Sequence, residues 1–403
     1  MNMSCSLAFL ALLLCLSFVA AECIFPVIFN FGDSNSDTGG HAASYGDQLG
    51  YPVGRLLSNQ PTGRLSDGRL VLDFLCENLN TSYLTPYLLS LEPNFTNGAN
   101  FAISGAAALP KTTLFNLAIQ VQQFKLFRNR SIEFQSNGFK NLLGEEDFKR
   151  ALYTIDIGQN DLWIAQSYPE VIQKIPSVIS EIREALRAIY YLAGGKNFWV
   201  HNTGPLGCLP ASLANRKTNA TTDYDENGCL TRLNEGAKEF NAKLKALCQE
   251  LRREMKNSTI VYVDIYSIKY DLIANAASYG FQNPLMACYG CGGPPYNSDP
   301  ECRGGNSVCE VGSSYISWDG VHYTEAANAV VASKILSTNY SVPPLKIDFF
   351  LNNIIAGTSN GAQGPVQAPT GMPGCPYWRI LAHLGHVMIS TCDDSDQSNR
   401  SCE

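Results

Sequence analysis

The sequence predicts an α/β protein: a three-layer α/β/α sandwich around a mostly parallel central sheet. Three observations carry that prediction. Short apolar runs rich in β-branched and aromatic residues recur along the chain, segments of helical periodicity separate them, and most runs end in a turn rich in Gly, Ser or Asn. Strands covered on both faces read as continuous apolar runs, and strand–helix alternation of this length closes a parallel sheet by crossovers. Ligands of such sheets bind beyond the carboxyl ends of the strands, where these polar turns fall.

Taken in order, the first strand is expected over Ile24 to Phe31, running into Gly32. Ala99 to Ile103, Leu152 to Ile157, Asn197 to His201 and Thr259 to Ile265 read as further strands. Helices are expected over Val171 to Leu192, closed by Gly194 and Gly195, over Leu230 to Met255 with its Lys, Arg and Glu face, and over Thr324 to Leu336. No internal repeat is present. Beyond about Ser341 the character changes, through a Gly-, Ser- and Asn-rich stretch to a tail of Cys, Asp and Ser, so residues 346–403 read as an extension to a main domain over 22–345.

A chain of 403 residues with 45% hydrophobic and 16% charged content can bury a large core, which argues against disorder. The net charge of −7, with Lys and Arg scattered and no basic run, excludes an electrostatic footprint for nucleic acid. Ser6 to Ala20 is apolar and is followed by small residues, which predicts a cleaved secretory signal over 1–21 although no Lys or Arg precedes it. The stretch is short for a membrane span, which needs about 20 apolar residues, and no other segment is apolar enough to cross.

N-x-[ST] triplets at Asn80, Asn94, Asn129, Asn219, Asn257, Asn339 and Asn399 suit a secreted, extracellular glycoprotein. Cys5 and Cys15 leave with the signal, so an even number of the 14 cysteines is left. Cys288, Cys291, Cys302 and Cys309 cluster in a Gly/Asn/Pro-rich loop; C-x-x-C there also fits zinc, but an oxidising compartment favours disulfides of open connectivity.

The first strand delivers the chain into Phe31-Gly-Asp-Ser-Asn-Ser-Asp-Thr-Gly-Gly40, which places Ser34 in the turn past a buried strand end. A serine there is an ordinary turn residue unless it has partners, because it is a weak nucleophile without a base and a group to orient that base. Of His41, His201, His322, His383 and His386, only His322 has a carboxylate at a spacing that explains itself, in Trp318-Asp-Gly-Val-His-Tyr-Thr-Glu325. On a tight turn or a first helical turn, Asp319 and His322 can face the same way. The competing reading makes Asp319 merely the cap of the following helix. Acyl transfer also needs donors for an oxyanion, and two strand-end turns offer them: Asn160 in Gly158-Gln-Asn-Asp161, and the Gly105 N–H in Asn100-Phe-Ala-Ile-Ser-Gly-Ala106.

FGDSNSDTGG, GRLSDGR, NFAISGAA, IGQND and SWDGVHYTEAAN, in this order over residues 31 to 328, closely resemble the sequence blocks of plant-type GDSL esterase/lipases, of the SGNH hydrolase family. The resemblance implies a flavodoxin-like α/β/α fold, Ser34 as nucleophile and first oxyanion donor, Asn160 as a further donor, and Asp319 and His322 as the rest of a triad. It leaves the glycine donor between Gly105, preferred for its place after a strand, and Gly63 or Gly68 of the GRLSDGR block. The substrate stays open among lipid, acetylated glycan and acetylated small metabolite, the acyl-transfer scheme requires no cofactor and no metal, and a plant source would place the protein in the apoplast or cell wall. The chain departs from the family in continuing through Cys375, Cys392 and Cys402.

Rival readings are an acyltransferase using the same triad, a fucosidase-like glycosidase working through two carboxylates, and a non-catalytic defence or storage glycoprotein. Gly357-Thr-Ser-Asn-Gly361 also fits G-x-S-x-G, but a nucleophile at Ser359 would require an Asp and then a His downstream, whereas His383 and His386 precede Asp393, Asp394 and Asp396.

Overall fold

The structure is a computed structural model that describes residues 26–57, 63–91, 93–110, 112–164, 168–215 and 223–351. The expected signal, Asn219, Asn399, Ser359 and the tail histidines lie outside the described residues.

Five parallel strands form the sheet: β1 (Ile28–Gly32), β2 (Gly98–Asn100), β3 (Leu152–Asp156), β4 (Asn197–His201) and β5 (Thr259–Val263). A short two-stranded ribbon, β6 (Tyr289–Gly290) with β7 (Ser307–Val308), stands apart. The strand β8 (Ser341–Val342) adds antiparallel to the edge of β5. The order β2-β1-β3-β4-β5-β8 reverses direction between β1 and β3, the switch point at which open parallel sheets hold ligands. The expected α/β/α class is therefore observed, with the strand order of a flavodoxin-like sheet.

The principal helices are α1 (Gly40–Tyr45), α2 (Val71–Asn78), α3 (Leu117–Ser136), α4 (Gln159–Trp163), α5 (Tyr168–Ala193), α6 (Thr231–Glu254), α7 (Ile265–Ala274) and α8 (Glu325–Leu336). Alternate strand residues Phe29, Phe31, Tyr153, Ile155, Phe198 and Val200 pack with α3, α5 and α6. Their neighbours Ile28, Leu152, Trp199 and Val261 pack with α2, α7 and α8. Two apolar cores therefore flank one sheet, and burying each large side chain contributes about 1.5–3 kcal/mol. Ile347, Phe349 and Phe350, beyond the boundary read from the sequence, are buried in the second core.

Strand and helix ends differ from expectation for local reasons. The fifth strand stops at Val263 because Asp264 caps α7, its side chain accepting from the Ser267 N–H at 3.1 Å. The second strand is short as a ladder, yet the N–H groups of Phe101 and Ile103 still donate to Asn30 O and Gly32 O of β1, at 2.8 and 3.3 Å. Asp319 does not cap α8. Thr324 does, accepting from the Ala327 N–H at 3.3 Å.

Among the described residues Cys208–Cys229, Cys288–Cys309 and Cys291–Cys302 are disulfides, and Cys76 and Cys248 are buried free thiols. The four-cysteine loop is thus stapled pairwise rather than arranged around a metal. No described helix is long and apolar enough to cross a membrane.

Candidate active site

Ser34 lies in the turn directly after β1 and is 6% exposed. The strand end beneath it is held from the opposite helical layer. Gln120 of α3 accepts from the Gly32 N–H at 2.9 Å and donates to Gly32 O at 2.8 Å. The far side of the turn is held by Asp37, whose carboxylate accepts N–H groups from Gly39, Gly40 and His41 and, across the chain, from Ser104 at 2.7 Å. The Ser34 turn and the Ser104–Gly105 turn are thereby locked together.

Asp319 and His322 sit on a tight hairpin loop rather than a helical turn. The Trp318 N–H donates to His322 O at 2.7 Å and closes the loop, and Gly320, with φ of 95°, turns it. One oxygen of Asp319 accepts the N–H groups of Val321 and His322 at 3.0 and 2.8 Å, and the other meets His322 Nδ1 at 2.6 Å. The contact fixes the tautomer, with hydrogen on Nδ1 and Nε2 free to act as a base.

His322 Nε2 is buried and carries no hydrogen bond. Burial would discharge the imidazole. The Asp319 carboxylate, by charge and hydrogen bond, and Asp33 outweigh burial and the opposing Lys269, and lift the pKa above the ordinary imidazole value. Burial likewise pushes Asp319 up, but the charge and hydrogen bonds of His322 hold its carboxyl below the usual carboxylate range.

The loop is braced from behind. Tyr289 stacks on the fully buried Trp318, with ring centroids 5.4 Å apart, and its N–H donates to Trp318 O at 2.6 Å. Arg55 lies over the other ring system of this brace, 5.2 Å from the Trp318 centroid, and donates to Cys309 O. Ser66, Asp67 and Arg69 of the GRLSDGR block bind the segment after His322: Ser66 Oγ donates to Tyr323 O at 3.0 Å, and Asp67 accepts the Glu325 N–H at 2.7 Å.

The two donor turns fall at the same edge. Asn160, at the start of α4, donates through Nδ2 to Ala106 O at 2.9 Å, next to Gly105. Gly105 is exposed, in the left-handed region at φ 78°, with no atom within 4 Å of a would-be Cβ. It is a glycine for its backbone conformation rather than for want of space. Gly63 shares the left-handed conformation, at φ 58°, but it and Gly68 differ in space: a Cβ on Gly63 would fall 2.3 Å from Gly39 Cα, and one on Gly68 2.0 Å from a Glu325 oxygen. They are close-packing positions that let the block seat against its neighbours.

Sequence reasoning passed over several residues that build the site. Gln120 could have been found, because it interrupts the buried stripe of Leu117, Val121 and Phe124 on an otherwise apolar helix face. The buried Asn30–Asn100–Thr154 ladder had no local signal. Asn30 donates to Asn100 Oδ1 at 2.8 Å and accepts from Thr154 Oγ1 at 2.7 Å, from strands that only the sheet register aligns. His41 and His201 do not join Asp319: His41 packs on Tyr45 on α1, and His201 ends β4 beside Asp156, at 3.6 Å.

Fold and sequence together define the class, a carboxylic ester hydrolase built on a parallel sheet. The chain belongs to the GDSL-like lipase/acylhydrolase family, which it matches over residues 28–335. It is 53% identical over 343 residues to the GDSL esterase/lipase LIP-4 of Arabidopsis thaliana, a match covering 82% of this chain and 91% of that protein. A second Arabidopsis thaliana GDSL esterase/lipase is 54% identical, over 82% of this chain and 92% of its own length. Alpha-L-fucosidase 3 of the same plant is 43% identical, over 78% of this chain and 91% of its own length.

Proposed function

We propose that the chain is a secreted serine esterase that hydrolyses carboxylic esters of lipids, acetylated glycans or acetylated small metabolites through an acyl-enzyme on Ser34. The observation that carries this reading is the 2.6 Å contact of Asp319 with His322 Nδ1, which leaves Nε2 as the free base at the edge where Ser34 lies. Nε2 takes the Ser34 Oγ proton as Oγ adds to the ester carbonyl. The oxyanion is received by the N–H groups of Ser34 and Gly105 and by the Asn160 amide, whose second hydrogen is not engaged by Ala106. The imidazolium then protonates the leaving alcohol, and water, deprotonated by the same nitrogen, releases the acid.

Secretion is supported by the three disulfides and by the exposure of Asn80, Asn94, Asn129, Asn257 and Asn339, which are the proposed glycosylation sites within the described residues. Residues 1–21 are read as the leader, and the chain beyond the buried Ile347, Phe349 and Phe350 as an extension to the hydrolase domain. The fucosidase among the relatives favours a second reading, glycoside hydrolysis by two carboxylates, which has no need of Ser34. Labelling the secreted protein with a fluorophosphonate and mapping the peptide separates the two. Label on Ser34 that vanishes in Ser34→Ala supports the esterase; a folded protein that takes no label overturns it.

A further inference from the structure

The edge of the sheet that bears the proposed triad also gathers charges the triad does not use. Asp33, the residue before Ser34, is fully buried. Its Oδ1 accepts from the Asn35 N–H and Nδ2 and from Gln159 Nε2, at 3.0, 3.2 and 2.9 Å, while Oδ2 has no partner. The register of β1, β3 and β4 sets Gly32 beside Asp156 and Asp156 beside His201, so a second carboxylate lies next to the strand end that carries Asp33. From α7, Lys269 lays its ammonium over the ring of Tyr323, the residue after His322, at 4.4 Å, with its stem beside Gly204. The charges that act on the His322 imidazole are Asp319 from its own loop, Asp33 from the β1 turn and Lys269 from α7, while Asp156 and His201 are paired in register beside the strand end that carries Asp33.

We propose that Asp33 and Lys269 are positioning residues that act through His322 as opposed buried charges, Asp33 favouring the imidazolium formed when Ser34 is deprotonated and Lys269 disfavouring it. This rests on the reading of His322 as the base of Ser34. A base that is too strong is already protonated at working pH, and one that is too weak does not take the serine proton, so the two fields hold it between those failures. Burial first, and the charge of Asp156 second, push Asp33 up to about 7, so it acquires charge in the range where an imidazole titrates. Burial lowers the Lys269 pKa against the pull of Asp156 and Asp33.

The test is the pH dependence of kcat/KM for p-nitrophenyl acetate with the full chain and its Asp33→Asn, Lys269→Met, Lys269→Arg and His322→Ala variants. Loss of Asp33 should move the acid limb to lower pH and loss of Lys269 to higher pH, each by about 0.5–1 unit, a roughly 3- to 10-fold rise or fall in rate at a pH on the limb. Lys269→Arg, which keeps the charge, should overlay the parent. Limbs that coincide in all three, while His322→Ala abolishes turnover, overturn the proposal and leave the triad standing. Turnover that survives His322→Ala overturns the triad reading itself. If Asp33→Asn does not fold, the Lys269→Met and Lys269→Arg pair decides alone, because only a charge effect separates their pH profiles.

Discussion

On one face of the sheet Phe29, Phe31, Tyr153, Ile155 and Phe198 meet α3, α5 and α6 as hydrocarbon, with Phe29 centroids 5.1 Å from those of both Phe124 and Phe148. On the other face, the next residues of the same strands include the apolar Ile28, Leu152 and Trp199, but toward the carboxyl end they become Asn30, Thr154, Asp156 and His201. The aromatic face is held by many weak, non-directional contacts, so it supplies stiffness without saying where any one atom must be. The polar face is held by a few directional bonds, and these, together with Gln120 from the aromatic side, position the turn that carries Ser34. Buried groups without hydrogen bonds occur there, among them Asp33 Oδ2, His201 Nε2 and Trp199 Nε1. Apolar packing and directional polar bonding are thus largely divided between the two sides of one sheet.

Four changes test that division. The largest effect is expected at the edge itself: Asp319→Asn should lower kcat for ester hydrolysis by roughly 10⁴-fold, because the imidazole loses its tautomer and its counter-charge. An effect below tenfold would remove the Asp–His pair from the mechanism. On the aromatic face, Phe29→Ala should cost about 3–5 kcal/mol in urea unfolding while leaving the pH–rate profile in place. A shifted profile would show that the two faces are not separable.

Asn30→Ala should cost about 1–3 kcal/mol, since it removes the partner of Thr154 Oγ1 and Ser36 Oγ and one of the two donors to Asn100 Oδ1. Unlike Phe29→Ala, it should lower kcat measured well below the melting temperature. The smallest effect has the opposite sign. The Asp33 pKa rises from 3.8 to about 7 on folding, mainly through burial, so below 3.8 the group is neutral in both states and contributes nothing. As pH climbs toward 7 the unfolded chain releases a proton that the folded chain keeps, and stability falls. Asp33→Asn keeps the acceptor for Asn35 and Gln159 without the charge, and should therefore raise stability by on the order of 1–2 kcal/mol at pH 8 and by nothing at pH 3.5. Equal denaturation curves at pH 8 would show that Asp33 is not a buried charge.

Asn197–His201 was legible in the sequence to the residue, and the long helices to within about three residues at either end, because burial on both faces and helical periodicity each leave a one-dimensional trace. The Asp319–His322 contact was legible for the same reason: the two residues lie three apart, and Gly320 between them supplies the turn. Ser34 gained its meaning from its place at the end of the first apolar run.

The tertiary structure decided the rest. It separated Gly105, free at a turn, from Gly63 and Gly68, packed against Gly39 and Glu325, although all three lie in similar Gly- and Ser-rich blocks. It brought Gln120 under Gly32 across 88 positions and aligned Asn30 with Asn100 and Thr154. It also gathered Asp33, Asp156, His201 and Lys269 at the edge that holds His322. None of these is written locally, because hydrogen bonding and charge depend on distance in space, and strand order and register are fixed only when the two cores close on the sheet.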